Sequence, residues 1–182
     1  MKLLLHCCCA PCSHLCVNTL RNEGSDVELF WYNPNIHPYT EYRSRRDCVK
    51  GFAANEKLKL ETLDEYGLRS FLTAVFTGTE QIEIPLRCEK CYRMRLEKTA
   101  SFASQAGYSA FSTSLLISPY QDHDAIRRIG MEEAAKYGVD FLYRDFRPLF
   151  SEGQKEAGKM GFYMQKYCGC IFSEEERYLN KK

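Results

Sequence analysis

Residues 2–12, KLLLHCCCAPC, decide the fold. The apolar run at residues 2–6 predicts a buried β-strand, and Pro11 suits the first turn of a helix that continues to Asn22. Cysteines occupy positions 7, 8, 9 and 12, where the strand gives way to the helix. A strand that leads directly into a helix is typical of a parallel α/β sheet, whose sites lie at the carboxyl ends of the strands. The stretch therefore predicts such a sheet with a cysteine cluster at one of those ends.

The rest of the chain keeps alternating between strand and helix patterns. Further strands are predicted over residues 27–32, 58–63, 110–114 and 141–143, and further helices over about 40–57, 89–104, 122–137 and 173–180. Gly138 is expected to end one helix, and Ser173 to cap another with Glu176 in a capping box. We expect one α/β domain over residues 1–182, with a parallel sheet flanked by helices.

Composition excludes several classes of protein. The chain has 182 residues, 45% of them hydrophobic, and a formal net charge of +1. No apolar run approaches the roughly 20 residues that a membrane-spanning helix needs, and the apolar stretch at the start is too short for a secretory signal. The cytoplasm, where thiols stay reduced, is therefore the expected location. The glycine-rich loops of dinucleotide and P-loop sites are not found in the sequence.

Most of the ten cysteines fall into tight clusters. Two CxxC pairs could supply four sulfur ligands, which suits structural zinc or a [4Fe–4S] cluster: Cys9 with Cys12, and Cys88 with Cys91. The third pair, Cys168-Gly-Cys170, could close a reversible disulfide or add ligands. More sulfur than a closed zinc site needs favours iron–sulfur. Cys16 and Cys48 stand apart and are predicted to be inert thiols, as is Cys7.

Neighbouring residues are expected to tune these thiols. Helix N-termini and the cations Arg87, Lys90, Arg93 and Arg95 should lower the pKa of the Cys88 and Cys91 thiols. Asp122 and His123 follow a predicted strand, so they are candidates for substrate contact or a proton source, while a helix cap is the alternative for Asp122. The other histidines are expected to be ordinary residues with satisfied hydrogen bonds.

Basic residues recur in local runs, around Arg43 to Lys50, around Arg87 to Lys98, and again at residues 127, 128, 144 and 147. These runs are either solvated helix faces or a surface for phosphates and RNA, and the sequence leaves both interpretations open.

Five motifs, in order along the chain, resemble the QueH family of epoxyqueuosine reductases: HCCCAPCS at 6–13, YNPNIHP at 32–38 followed by Glu41 and Tyr42, CEKCYRMRL at 88–96, SLLISPYQ at 114–121 and YCGC at 167–170. Cys7 stands where the family often has a small polar residue, so no role is carried onto it.

The resemblance implies reduction of epoxyqueuosine to queuosine at the wobble position of tRNA anticodons, the final step of queuosine biosynthesis. The implied fold is the Rossmann-like one of the HUP group, and the implied cofactor is a [4Fe–4S] cluster. Carried onto this chain, Cys8, Cys9, Cys88 and Cys91 would hold the cluster, and Cys168 and Cys170 would be a redox-active pair. The spacing argument instead pairs Cys9 with Cys12, and an additional metal ion could use the spare thiols. An electron donor is also required, and the sequence does not identify it.

Two other functions remain as alternatives. A zinc-stabilised RNA-binding protein without catalysis would use the same CxxC pairs and basic runs, but would leave Cys8 and the 168–170 pair without a role. A sulfur-transfer enzyme acting on tRNA would need an ATP site, which the sequence does not indicate.

Overall fold

The computed structural model describes residues 1–77 and 85–179. They form a sheet of five parallel strands in the order β3-β2-β1-β4-β5. The strands are β1 (Lys2–His6), β2 (Asp26–Trp31), β3 (Leu60–Thr62), β4 (Ala110–Thr113) and β5 (Asp140–Phe141). The predicted parallel α/β sheet is confirmed.

The described residues also contain seven α-helices and two short 3₁₀ segments. The helices are α1 (Ala10–Asn22), α2 (Tyr39–Asn55), α3 (Leu68–Phe76), α4 (Leu86–Gln105), α5 (His123–Tyr137), α6 (Phe150–Lys159) and α7 (Ile171–Leu179). The 3₁₀ segments are Ser114–Ile117 and Arg147–Leu149. Among these residues, no helix combines the length and the apolar character that crossing a membrane requires.

The order in which strands are added to the sheet reverses at the central strand, β1. The chain passes from β1 to β2 and β3 on one side, and later to β4 and β5 on the other. α1 packs against α2 and α6, whereas α4 packs against α5, β1 and β4, as right-handed crossovers on opposite faces require. Leu3, Leu4 and Leu5 are fully buried between these layers. A crevice therefore opens between the carboxyl ends of β1 and β4.

Local signals explain the helix ends near this crevice. Cys9 is the N-cap of α1, with extended backbone, and Pro11 lies in the first turn, as the sequence predicts. Asp122 caps α5, because its Oδ1 accepts a hydrogen bond from Ala125 N–H at 3.0 Å. α5 ends at Gly138, whose φ of +64° is the left-handed conformation that glycine adopts without strain.

Several predicted boundaries are wrong. α3 and α6 were not predicted, and the strand predicted to reach Ser114 ends at Thr113, where a 3₁₀ turn begins. α4 begins at Leu86, before Cys88 rather than after it. The last helix begins at Ile171, and its cap is Cys170 instead of Ser173: Ser173 N–H donates to Cys170 Sγ at 3.4 Å. A thiol can therefore take the place of the hydroxyl that the sequence pattern favoured.

Candidate metal centre and thiol cavity

Three cysteines from the β1–α1 junction form the first thiol group: Cys8, Cys9 and Cys12. Their sulfur atoms all lie within 4.8 Å of one another, and Cys8 Sγ lies 3.9 Å from Cys9 Sγ. All three residues are buried. The group is tied to the 3₁₀ segment that follows β4, because Cys8 N–H donates to Ser114 Oγ at 3.4 Å. Three soft sulfur donors at this separation could hold a metal ion.

The first thiol group concentrates negative charge on one sulfur. Hydrogen bonds from Cys12 and Cys9 hold the pKa of the Cys8 thiol well below its usual range, despite burial. Burial raises the pKa of the Cys9 thiol. The pKa of the Cys12 thiol is also raised, mainly by its hydrogen bond to Cys8. Gln165 Nε2 donates to Cys9 Sγ at 3.1 Å and to Cys12 Sγ at 3.4 Å. Sequence reasoning gave Gln165 no role, since nothing around it suggests one.

The second thiol group joins two distant segments: Cys88 and Cys91 on α4, and Cys168 and Cys170 in the loop before α7. Cys91 and Cys170 belong to one small apolar cluster with Phe71 and Val75. Charges on Cys168 and Cys170 each raise the pKa of Cys88 and Cys91, because like charges disfavour ionisation at short range. All ten cysteines are free thiols.

The expected low pKa of the Cys88 and Cys91 thiols is wrong. Burial raises the pKa of Cys91 to about 12 and also raises that of Cys88. Arg95 lowers both values, as its charge requires, but desolvation is the larger effect. Burial therefore disfavours ionisation of both thiols.

Arg95 lies between the two thiol groups. It is 1% exposed, and its charge is favoured by Cys91, Cys168 and Cys8, against the cost of burial. Nε donates to Cys91 O at 3.1 Å, but Nη2 has no hydrogen-bond partner, and within residues 1–77 and 85–179 no carboxylate pairs with this guanidinium. A buried cation needs a compensating anion. Thiolates, or a negatively charged cluster that they ligate, would supply that anion, so these residues fit an iron–sulfur cofactor.

A second buried arginine holds the loop that carries Cys168 and Cys170. Arg45 Nη1 donates to Cys168 O and Nη2 to Tyr167 O, both at 2.9 Å. Arg45 Nε pairs with Glu41 at 2.7 Å. Gly169 between the cysteines has a φ of +138°, and a Cβ there would lie 3.2 Å from Arg45 Nη1. The φ at this position favours glycine, and a side chain would also crowd Arg45.

A cavity of about 590 Å³, the thiol cavity, opens between the ends of β1 and β4. Cysteines of both groups line it: Cys8, Cys12 and Cys168. Cys168 is exposed at its wall, yet the surrounding concave surface still desolvates the thiol and raises its pKa. Gln121 Nε2 donates to Cys168 Sγ at 3.6 Å, while Tyr92 O–H donates to Gln121 Oε1 at 3.0 Å. The cavity therefore exposes sulfur from both thiol groups to one bound molecule.

Comparisons with known proteins agree on one family. A family model described as epoxyqueuosine reductase QueH matches residues 3–176. An epoxyqueuosine reductase QueH from Dehalococcoides mccartyi is 37% identical over 177 residues, covering 97% of this chain and 94% of the relative. Another from Thermotoga maritima is 39% identical over 180 residues, covering 96% of this chain and 91% of the relative. The chain belongs to the epoxyqueuosine reductase QueH family. The resemblance carried by the five motifs and the expected class of enzyme are both confirmed.

A solved structure supports the fold alone. A chain from Methanocaldococcus jannaschii, described as a predicted subunit of tRNA methyltransferase, matches with a TM-score of 0.52 and 14% identity, covering 88% of each chain. The Rossmann-like class expected for a QueH-family chain is thereby confirmed.

The candidate proton sources lie beside the thiol cavity rather than in its wall. Asp122 follows Gln121 and acts as the cap of α5, so the capping alternative is confirmed. His123 has both ring nitrogens engaged, by Tyr143 O–H at 3.3 Å and Ser118 O at 3.2 Å. Neither residue lines the cavity. His37 departs from expectation in another way, because both of its buried ring nitrogens lack a partner among the described residues, and burial lowers its pKa to about 4.

Many members of the basic runs are buried or paired with carboxylates of the chain. Arg45, Arg87 and Arg95 are buried, which contradicts both the solvated-face and the RNA-surface interpretations for these positions. Two half-buried members are paired: Arg46 with Asp64 at 3.0 Å, and Arg93 with Glu133 at 2.7 Å. The carboxylate partners are distant in sequence from these arginines, so local sequence patterns could not reveal the pairing.

Proposed function

We propose that this chain reduces epoxyqueuosine to queuosine at the wobble position of tRNA anticodons, the final step of queuosine biosynthesis, in the cytoplasm. Membership of the QueH family supports the reaction. The observation that carries the proposal is the convergence of two thiol groups on one cavity at the switch point of the sheet. Such a crevice is where sheets of this type bind ligands.

We assign the [4Fe–4S] cluster to Cys8, Cys9, Cys88 and Cys91. Two residues come from each thiol group, and Arg95 between the groups would neutralise part of the negative charge of the cluster. When bound, such a cluster supplies single electrons and an electron-accepting iron.

Cys12 is the alternative ligand, because its sulfur lies within 4.8 Å of those of Cys8 and Cys9. Thiols left over from the cluster could also hold an additional metal ion. Two sulfurs on one tetrahedral metal, at about 2.3 Å each, lie roughly 3.8 Å apart. Cys8 and Cys9 Sγ, which lie 3.9 Å apart, would fit that arrangement if they bound this ion instead of the cluster.

Cys168 and Cys170 would act as the redox pair. Removing the epoxide oxygen as water takes two electrons and two protons. Two thiols supply both when they close a disulfide, so epoxide and dithiol become alkene, water and disulfide. Cys168 lies on the cavity wall, where the substrate would bind, and Cys170 is buried behind it. An external electron donor would then return the disulfide to the dithiol.

Residues around Cys168 would orient the reacting groups. Gln121 holds Cys168 Sγ and is itself held by Tyr92, which fixes the thiol at the wall. Asp122 stays our proposed proton donor for the leaving oxygen, to which it would pass a proton released by the thiols. It follows Gln121 directly, and Oδ1 is the oxygen that caps the helix. Proton transfer through the neighbouring amide or a water would connect its carboxyl to the cavity.

Anaerobic reconstitution and assay test the proposal. We expect iron and inorganic sulfide in the purified chain, and conversion of epoxyqueuosine to queuosine in tRNA, read by mass spectrometry of the nucleosides. Cys168→Ser should keep the iron and lose multiple turnover, because serine cannot form the disulfide. Cys48→Ser, at a half-buried thiol outside the cavity, is the matched control and should retain both.

Each part can fail separately. A colourless chain with one zinc and no conversion would support the RNA-binding alternative and reject the proposed reaction. Normal turnover by Cys168→Ser would remove the redox role of the pair. Loss of iron in that variant would make Cys168 a ligand instead.

A further inference from the structure

We propose that the rim of the thiol cavity is a subsite for the nucleotides that flank the reacting one, with Tyr120 stacking on a base and Lys166 and Arg177 binding phosphates. This inference rests on the proposed function, because it assigns contacts to the RNA that the reaction requires. The proposed subsite contains no cysteine of the two thiol groups.

Tyr120 has the geometry of a stacking platform. It is 83% exposed, more than any other large hydrophobic residue in the described parts of the chain, and it lines the cavity. Phe150 supports the ring edge-on, with centroids 5.8 Å apart and planes at 85°, which leaves a ring face open. Tyr120 N–H donates to Ser118 Oγ at 3.3 Å and so fixes the loop. An aromatic ring held this way presents an open face on which a base can stack.

The cavity lining carries an excess of positive charge. Its charged side chains are Arg45, Lys166, Glu176 and Arg177. Two of them are already paired, Arg45 with Glu41 and Glu176 with Arg87, each at 2.7 Å. Lys166 and Arg177 are exposed, and no carboxylate within residues 1–77 and 85–179 pairs with either. These two cations are therefore available to an anionic ligand.

An exposed aromatic ring beside two unpaired cations is the arrangement that binds single-stranded nucleic acid. Bases stack on the ring, and phosphates contact the cations. The anticodon loop is single-stranded, so its nucleotides can be splayed apart in this way. Gln121 links the rim to the redox pair, because it follows Tyr120 and donates to Cys168 Sγ. A base held on Tyr120 would therefore present its neighbour to the thiols.

Equilibrium binding of a synthetic anticodon stem-loop, followed by fluorescence anisotropy, tests the subsite. Tyr120→Ala should weaken binding by about 5- to 150-fold, and Tyr120→Phe should restore it, since stacking needs the ring and not the hydroxyl. Lys166→Gln and Arg177→Gln should each lower the slope of log affinity against log salt by about 0.7, the value for one phosphate contact in a single strand. Thermal unfolding should match that of the unaltered chain, because all three side chains are exposed.

Matched controls come from the amino ends of the strands, on the side of the sheet opposite to the thiol cavity. Arg21 lies in the last turn of α1, and Lys57 follows α2, so both exposed cations lie at the amino ends of the strands. Arg21→Gln and Lys57→Gln should leave the affinity and the salt slope unchanged. Equal slopes for the rim and control variants would overturn the phosphate contacts, and a Tyr120→Phe variant as weak as Tyr120→Ala would overturn the stacking.

The outcomes also separate this inference from the reaction. If the unaltered chain converts epoxyqueuosine tRNA while all rim variants bind like it, the subsite is wrong and the proposed function stands. If the unaltered chain neither binds the stem-loop nor converts the tRNA, both are wrong.

Discussion

The two thiol groups are built in different ways. The first group takes its three cysteines from one strand–helix junction, and they belong to the main hydrophobic core. The second group brings residues of α4 together with a loop about 80 positions later, and two of its members, Cys91 and Cys170, belong to a small separate cluster with Phe71 and Val75. Local backbone geometry is enough for the first group. The second depends on long-range contacts, above all those of the buried Arg45 and Arg95.

This difference predicts how each group responds to change. The first group should keep its geometry as long as β1 and α1 are folded, because the main core surrounds it. The second group should be sensitive to any change in the contacts that join α4 to the loop at residues 167–170. A cofactor that binds both groups would couple them, since it binds only the folded arrangement and stabilises it.

The largest effect is expected for Cys91→Ala, which removes a proposed ligand from the second group. We expect complete loss of bound iron and of turnover, because a cluster that lacks one of its four cysteine ligands is not retained. Cys16→Ala is the matched control, since Cys16 is also a buried cysteine on a helix, but outside both groups. It should keep iron and activity. Iron analysis and the visible absorbance spectrum measure both variants, and full iron content in Cys91→Ala would reject the ligand assignment.

An intermediate effect is expected for Gly169→Ala, which acts on the loop without removing a thiol. The φ of +138° and the approach to Arg45 Nη1 both disfavour a side chain there. We expect a loss of about 1–3 kcal/mol in the free energy of unfolding, the usual cost of a strained backbone position. Turnover should fall as the loop shifts Cys168.

Gly51→Ala is a control that should change the free energy of unfolding in the opposite direction. Gly51 lies within α2, and a Cβ there would meet nothing within 4 Å. Alanine should stabilise the chain by up to about 1 kcal/mol, since it favours the helix. Denaturant unfolding of both variants checks the pair. Equal stability of Gly169→Ala and the unaltered chain would mean that the loop is not held as tightly as its contacts with Arg45 indicate.

The same contrast explains what the sequence could predict. The β1–α1 junction, the parallel sheet and the end of α5 at Gly138 follow from local patterns, and they are confirmed. The short helices α3 and α6 were missed, as was the thiol cap at Cys170, because weak local signals are decided by packing. Arg45 and Arg95 could not be identified as buried, since arginine is almost always exposed unless folding supplies partners. The ligand set and Asp122 stay predictions.

The smallest effect is expected for Arg46→Gln, at a position where the sequence left open either an RNA contact or a solvated helix face. Arg46 donates to both carboxylate oxygens of Asp64 at 3.0 Å and also pairs with Asp47 at 2.8 Å. A guanidinium that already pairs with two carboxylates gains little binding free energy from a phosphate. The slope of log affinity against log salt for stem-loop binding should therefore not change. Stability should fall by no more than about 1 kcal/mol, as for other exposed ion pairs. A slope reduced by about 0.7 would show that Arg46 leaves its carboxylates for the RNA. RNA recognition would then extend from the cavity rim onto α2, and the paired cations of the chain would have to be counted as available.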